Sequence, residues 1–169
     1  MLQGRVRRRA QPAHDVRLAA GFAWFLARSS NCIDFATDGR LAGAVHVIFA
    51  VDDLARSVAF YEGVFDWPRN DRIDYREYVE LCAPDGTLGL CERETYAYLT
   101  GATPMTPENG DVSPAYLYVR VPDVRGTIAK LDEAGARSLA PLALRSWGEE
   151  AAWFADRDGN VVAVAQASS

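Results

Sequence analysis

The stretch HVIFAVDDL (residues 46–54) decides the fold, because it returns 70 residues later as YLYVRVPDV (residues 116–124). Each copy is an apolar, β-branched and aromatic run of strand length that leads into an acidic residue, Asp53 or Asp123, at the place of a helix N-cap. Beyond the cap, Leu54, Val58, Tyr61 and Phe65 recur at helical spacing in the first copy. Val124, Ile128 and Leu131 do so in the second, before Gly135 as a stop. Two strand-then-helix units are predicted.

The repeat continues. YVELCAPDGTLGL (residues 78–90) matches AAWFADRDGNVVA (residues 151–163) at an offset of 73, each with Asp-Gly between two strand-like runs. Asp-Gly there signals a hairpin, since glycine accepts the positive φ of the turn. Weaker strand patterns at Asp71 to Tyr75 and Ala136 to Ala143 complete each unit as strand, helix and three more strands. Between the units, Glu94 to Pro114 carries Pro104, Pro107, Pro114, Gly101 and Gly110 and reads as a linker.

A chain of 169 residues with 49% hydrophobic and 24% charged residues has the composition of one globular domain, which excludes a wholly disordered chain, a collagen and a polytopic membrane protein. The net charge of -5 is unevenly spread. Seven Arg against three Asp make residues 1–42 +4, whereas 11 basic and 20 acidic residues make residues 43–169 -9. An acidic body repels nucleic-acid phosphates and anionic membranes and favours cationic or neutral partners. The basic opening contains the apolar run LAAGFAWFLA (residues 18–27), too short to span a bilayer and without a clean cleavage site after it. It is read as an N-terminal extension, partly helical or disordered, outside the repeat. Three cysteines, Cys32, Cys82 and Cys91, form no CxxC pair, which fits a reducing cytoplasm better than a disulfide framework. One Lys beside 17 Arg suggests a GC-rich bacterial source.

The tandem βαβββ pattern, with V-x-V-x-D-L running into a helix that ends F-Y and a W-G…W-F-x-D-x-D-G-N close, resembles the vicinal oxygen chelate superfamily of glyoxalases, extradiol dioxygenases, fosfomycin resistance enzymes and bleomycin resistance proteins. The most specific pieces are His46 to Phe65 and Trp147 to Val164. The resemblance implies an α+β fold in which two modules, about 44–94 and 114–167 within a domain of 43–169, pair into an eight-stranded cup, with 95–113 as linker. It also implies homodimers that pair through exposed strand edges. Metal-using members carry one ligand on the first and one on the last strand of each module. Those positions fall here on His46, Leu90 (or Gly89 or Leu88 in another register), Tyr116 and Ala163.

One imidazole does not hold a divalent ion, which needs several converging donors. No cofactor is therefore expected. The alternative is a divalent metal in a displaced site built from His46 with Glu80 or Glu92, the latter sharing the face of Leu90 by strand alternation. Alternation likewise puts His46, Ile48 and Ala50 on one face and Tyr116, Tyr118 and Arg120 on the matching face of the repeat. Trp153 corresponds to Glu80, and Trp67, Trp147, Tyr96 and Tyr98 fall in segments that border the mouth. A cup rich in aromatics binds flat or amphipathic molecules by stacking and apolar burial. His46, Ile48, Glu80, Leu90, Tyr116, Tyr118, Arg120 and Trp153 are thus the candidate ligand-binding residues, with no catalytic residue assigned.

The expected function is metal-independent binding of a small organic ligand, cationic or aromatic, similar to the drug-sequestering bleomycin resistance type of antibiotic resistance, in a cytoplasmic homodimer. Two alternatives stand beside it. One is a glyoxalase-like lyase, isomerase or dioxygenase with a displaced or degenerate metal site, or a metal-free catalyst using Tyr116 or Glu80. The other is a regulatory or immunity partner of a biosynthetic cluster.

Overall fold

The computed structural model describes residues 45–71, 75–105, 108 and 110–167. The expected extension, 1–42, lies outside them. In chain order the elements are β1 (Val45–Val51), α1 (Leu54–Phe65), β2 (Tyr78–Ala83), β3 (Gly86–Glu92), α2 (Arg93–Thr100), β4 (Tyr116–Arg120), α3 (Val124–Glu133), β5 (Arg137–Leu144), β6 (Glu149–Ala155) and β7 (Val161–Ala167). They form a mixed α+β fold with two sheets, ordered β1-β3-β2 and β4-β7-β6-β5.

The duplication is visible in the pairing. β1 runs parallel to β3, as β4 does to β7, and each of β3 and β7 also closes an antiparallel hairpin with the strand before it. Both helices start on their acidic caps: the Asp53 carboxylate accepts from the Arg56 N–H at 3.0 Å and the Asp123 carboxylate from the Gly126 N–H at 2.9 Å.

Sequence and structure part in three places. The first sheet has three described strands where the repeat predicts four. Around the expected strand at 71–75, Arg69 bridges Leu81 and Tyr75 bridges Tyr78 without a continuous ladder, and residues 72–74 are not among those described. The linker opens with an eight-residue helix, α2, none of whose side chains is buried. Third, Gly86 does not have the positive φ expected of a hairpin glycine, whereas Gly159 does, at +79°. Gly86 is required by close approach instead: a Cβ there would lie 2.6 Å from the Val45 carbonyl oxygen on the neighbouring β1.

Period-two alternation sorts each sheet into two faces. Phe49, Val51, Leu81, Leu88 and Leu90 of the first sheet, with Ala152, Phe154, Val162 and Val164 of the second, join α1 and α3 in one continuous core. The modules therefore meet through their helix-covered faces. The polar part of this junction is the turn after β6. Its Asp158 accepts from the Asp52 N–H (3.0 Å) and the Ser57 hydroxyl (3.1 Å) at the start of α1, and the Asn160 side chain donates to the Ala50 carbonyl (3.5 Å). Arg93 adds bonds from its guanidinium to Asp52 and to the Asp158 carbonyl.

Tyr61, fully buried in α1, donates its hydroxyl to Asp156 at 2.9 Å. Burial raises the Asp156 carboxyl above its ordinary range, opposed by the bonds it accepts from Asn160 and Tyr61. A carboxyl whose folded pKa lies above its unfolded one contributes stability that is present in acid and lost as pH rises through the folded value. Removing the Tyr61 donor enlarges the rise, so the deficit of Tyr61→Phe should widen with pH, reaching about 1–3 kcal/mol near neutrality. Urea unfolding of both proteins at pH 3.5 and pH 7 checks this; equal deficits at the two values would show that Asp156 does not sense the hydroxyl.

Candidate functional site

The faces turned away from the core carry the chemistry. On the first sheet the register His46↔Thr87, Ile48↔Gly89 and Glu80↔Gly89 puts His46, Ile48, Glu80, Thr87, Gly89 and Tyr78 together. The His46 Nδ1 is hydrogen-bonded to the Thr87 hydroxyl and lies 3.4 Å from Glu80 Oε2, while its Nε2 meets the Tyr78 hydroxyl at 2.6 Å. Glu80 is buried, accepting from Asn70 Nδ2 at 2.7 Å and from the Tyr78 hydroxyl at 3.4 Å. Burial and the neighbouring Glu80 charge push the Tyr78 phenol far above its ordinary range, so it stays a neutral donor. Gly89 makes room for this cluster, since a Cβ there would fall 2.5 Å from the Tyr78 oxygen and 3.0 Å from His46 Nε2.

Leu90 and Glu92 are corrected by the same register. Both have the parity of Leu88, so they lie on the opposite side of β3 from His46, and Leu90 is fully buried in the core. The last-strand position facing His46 is Gly89, and a site shared by His46 and Glu92 would have to pass through the sheet. Across the same hairpin Cys82 pairs with Thr87 and Cys91 with Tyr78. Cys91 is a buried free thiol whose pKa burial raises, which suits packing rather than reactivity.

On the second sheet Tyr116↔Val161, Tyr118↔Ala163 and Trp153↔Ala163 put Tyr116, Tyr118, Arg120 and Trp153 on one face, as alternation predicts. Trp153 stands edge-on to Tyr116, Tyr118 and Trp147, with centroids 6.3, 6.4 and 6.3 Å away. Trp147 Nε1 donates to the Tyr118 hydroxyl at 3.2 Å, which itself donates to Glu149 at 2.8 Å; Arg120 closes the chain with 2.7 Å to the other Glu149 oxygen. These partners lower the Glu149 carboxyl, Arg120 first, and desolvation raises the Tyr118 phenol. Tyr116 and Trp147 remain more than half exposed, at 55% and 56%, offering free ring surface. Trp67 is elsewhere: it is buried, stacked on Phe65 at 4.5 Å. Tyr96 and Tyr98 ride on α2.

The residues do not fit the four-ligand metal site of the family. The last-strand positions are Gly89 and Ala163, which supply no donor. The first-strand positions are one imidazole, engaged on both nitrogens, and one phenol. Among the described residues no three His, Cys, Asp or Glu side chains converge as a metal group would require. A depression of about 300 Å³ lies at the module junction, lined by Arg56, Phe60, Ala134, Asp156, Arg157 and Asp158 among others. Both oxygens of each of its two carboxylates already accept hydrogen bonds, so they bind the modules together.

Two copies of a strand-helix-hairpin module, each presenting a side-chain face away from a common core, define the glyoxalase-like class of folds. The chain belongs to the glyoxalase/bleomycin resistance protein/dioxygenase superfamily, whose family pattern matches residues 43–164. No curated protein matches it significantly. Among solved structures, a glyoxalase/bleomycin resistance protein/dioxygenase family enzyme from Burkholderia phytofirmans PsJN is similar over 73% of this chain and 97% of that one, with a TM-score of 0.64 and 19% identity. A glyoxalase-related enzyme from Fulvimarina pelagi covers 74% and 88%, at 0.62 and 19%. The fosfomycin resistance protein FosX from Mesorhizobium loti covers 75% and 93%, at 0.54 and 16%. At these identities the likeness is one of fold.

Tyr78 escaped the sequence reading although it has the parity of Glu80 in the same strand. The hint was present, but nothing in the strand shows that its hydroxyl reaches across β3 to His46. That reach depends on the missing side chain at Gly89.

Proposed function

We propose that the chain is a metal-independent binding protein for a small organic molecule, of the drug-sequestering type found in its superfamily. The supporting observation is the second-sheet face. There Tyr116 and Ala163 stand where metal-using members carry donors, and the surrounding side chains are Tyr118, Trp153 and Trp147, with two rings more than half exposed. Such a surface holds a flat ligand by stacking and apolar burial, which requires affinity and no chemistry. The reading includes a cytoplasmic homodimer, for which β1 and β4, each ending a sheet among the described residues, offer edges for pairing. Among the described residues no helix is long and apolar enough to cross a membrane.

The test is metal analysis of purified protein together with tryptophan fluorescence against a panel of aromatic compounds. Less than a tenth of an equivalent of divalent metal, with saturable quenching by at least one compound, is the expected result. Stoichiometric metal that disappears in His46→Ala would overturn it. It would favour the second reading, a glyoxalase-like lyase, isomerase or dioxygenase, for which the hydrogen-bonded His46, Tyr78 and Glu80 supply an acid-base group. A monomer by light scattering would remove the dimer from the proposal.

A further inference from the structure

Arg145 is a cation at the second sheet that lies on the ring of Trp153 and that no acid neutralises among the described residues. It opens the turn between β5 and β6, where its N–H donates to the Glu149 carbonyl at 2.8 Å and its own carbonyl accepts from Gly148, which has a φ of +90°. Its side chain folds back over the sheet. Nε and Nη2 donate to the Ala151 carbonyl at 3.2 and 2.9 Å, Nη2 also donates to the Pro141 carbonyl at 2.9 Å, and the guanidinium carbon sits 4.7 Å from the centre of the Trp153 ring. Three bonds to neutral carbonyls and one ring hold the fork in a single place. None of them cancels its charge.

The neighbouring acid is already committed. Glu149 accepts from Arg120 and from Tyr118, one oxygen each, so the Arg120 charge is matched and the Arg145 charge is not. Nη1 of Arg145 has no partner among the described residues, and the exposed rings of Tyr116 and Trp147 each pack edge-on against the same Trp153 on which Arg145 lies. A fixed guanidinium nitrogen with its charge uncancelled, beside free aromatic surface, matches a carboxylate, which accepts a charge-assisted N–H···O bond from it. We infer that this face selects an aromatic carboxylate, its ring against Tyr116 and Trp147 and its acid group on the Nη1 edge of Arg145. The inference rests on the small-molecule reading of this face.

It also runs against the net charge of the body, which favours a cation. Local geometry decides the sign: a charge in contact at about 4 Å acts several-fold more strongly than charges spread beyond a Debye length of about 8–10 Å, which salt largely screens.

Calorimetric titration of the full chain with 1-naphthoate, 1-naphthamide and 1-naphthylmethylammonium separates the possibilities. The carboxylate should bind at least tenfold more tightly than the amide, with the ammonium weakest, and the preference should shrink on going from 50 to 500 mM salt. Arg145→Gln should bring carboxylate and amide within about threefold of each other. Should that variant fail to fold, the ligand order and salt response of the unaltered protein decide. An ammonium that binds as tightly as the carboxylate, or a preference that survives in folded Arg145→Gln, overturns the charge assignment. Equal binding of all three overturns it too but leaves the organic-ligand reading standing. Binding of none defeats both.

Discussion

Asp158→Ala should lower the stability of the chain by about 3 kcal/mol, the largest loss expected from any polar substitution in the fold. The Asp158 side chain is 2% exposed, and its two oxygens are divided between the Asp52 N–H and the Ser57 hydroxyl, with Arg56 3.7 Å away. Truncation removes an ionised acceptor, for which a hydrogen bond contributes about 1.5–3 kcal/mol, and leaves two donors of the other module facing an apolar gap. For a chain of this size that corresponds to a fall of roughly 6–12 °C in Tm. Asp158→Asn should recover part of the loss, because its carbonyl still accepts from Asp52 and the Ser57 hydroxyl can turn to accept from the amide. Urea unfolding of the three proteins measures the series. A loss below about 1 kcal/mol in Asp158→Ala would mean that the apolar core alone joins the modules.

Gly86→Ala is expected to cost about 1–3 kcal/mol, the range for forcing extra volume into close-packed structure. The conflicting atom at 2.6 Å is a backbone oxygen of β1, and no side chain can rotate to relieve it. β1 must move away from β3, and β1 carries His46. The same substitution should therefore separate His46 from Thr87, its register partner. The imidazole resonances of His46, followed by NMR alongside a thermal melt, report both effects. A stable variant with an unshifted imidazole would show that the strand edge yields without strain.

The repeat in the sequence was sufficient for most of the fold. Offsets of 70 and 73 between matching segments locate β1 with β4 and the hairpin β2-β3 with β6-β7, and Asp53 and Asp123 mark where the helices begin; the parallel pairing of β1 with β3 and of β4 with β7 comes from the structure. What escaped had physical reasons. The helix Arg93–Thr100 buries no side chain, so it leaves no apolar period to read. The superfamily pattern puts the last-strand position at Leu90, with Gly89 or Leu88 in another register, and alternation does not choose among them because it gives parity along one strand only. The pairing of β3 with β1 sets which parity faces His46, and a slip of one residue exchanges the faces. The second-sheet face was legible through Tyr116, Tyr118, Arg120 and Trp153, which need only alternation within β4 and β6. The fold-back of Arg145 was not, because it depends on carbonyls of β5 and β6 that no side-chain pattern reveals.

The modules join through one side of each sheet and leave the other side to His46, Glu80, Tyr116, Tyr118 and Trp153. Along β1 the core residues Phe49 and Val51 thus alternate with His46, Ile48 and Ala50, whereas the central strands β3 and β7 are buried on both faces. Mutations at exposed positions such as Tyr116 and Trp147 can accumulate at little cost to folding, so descendants of one duplication drift toward new ligands without first acquiring a new scaffold.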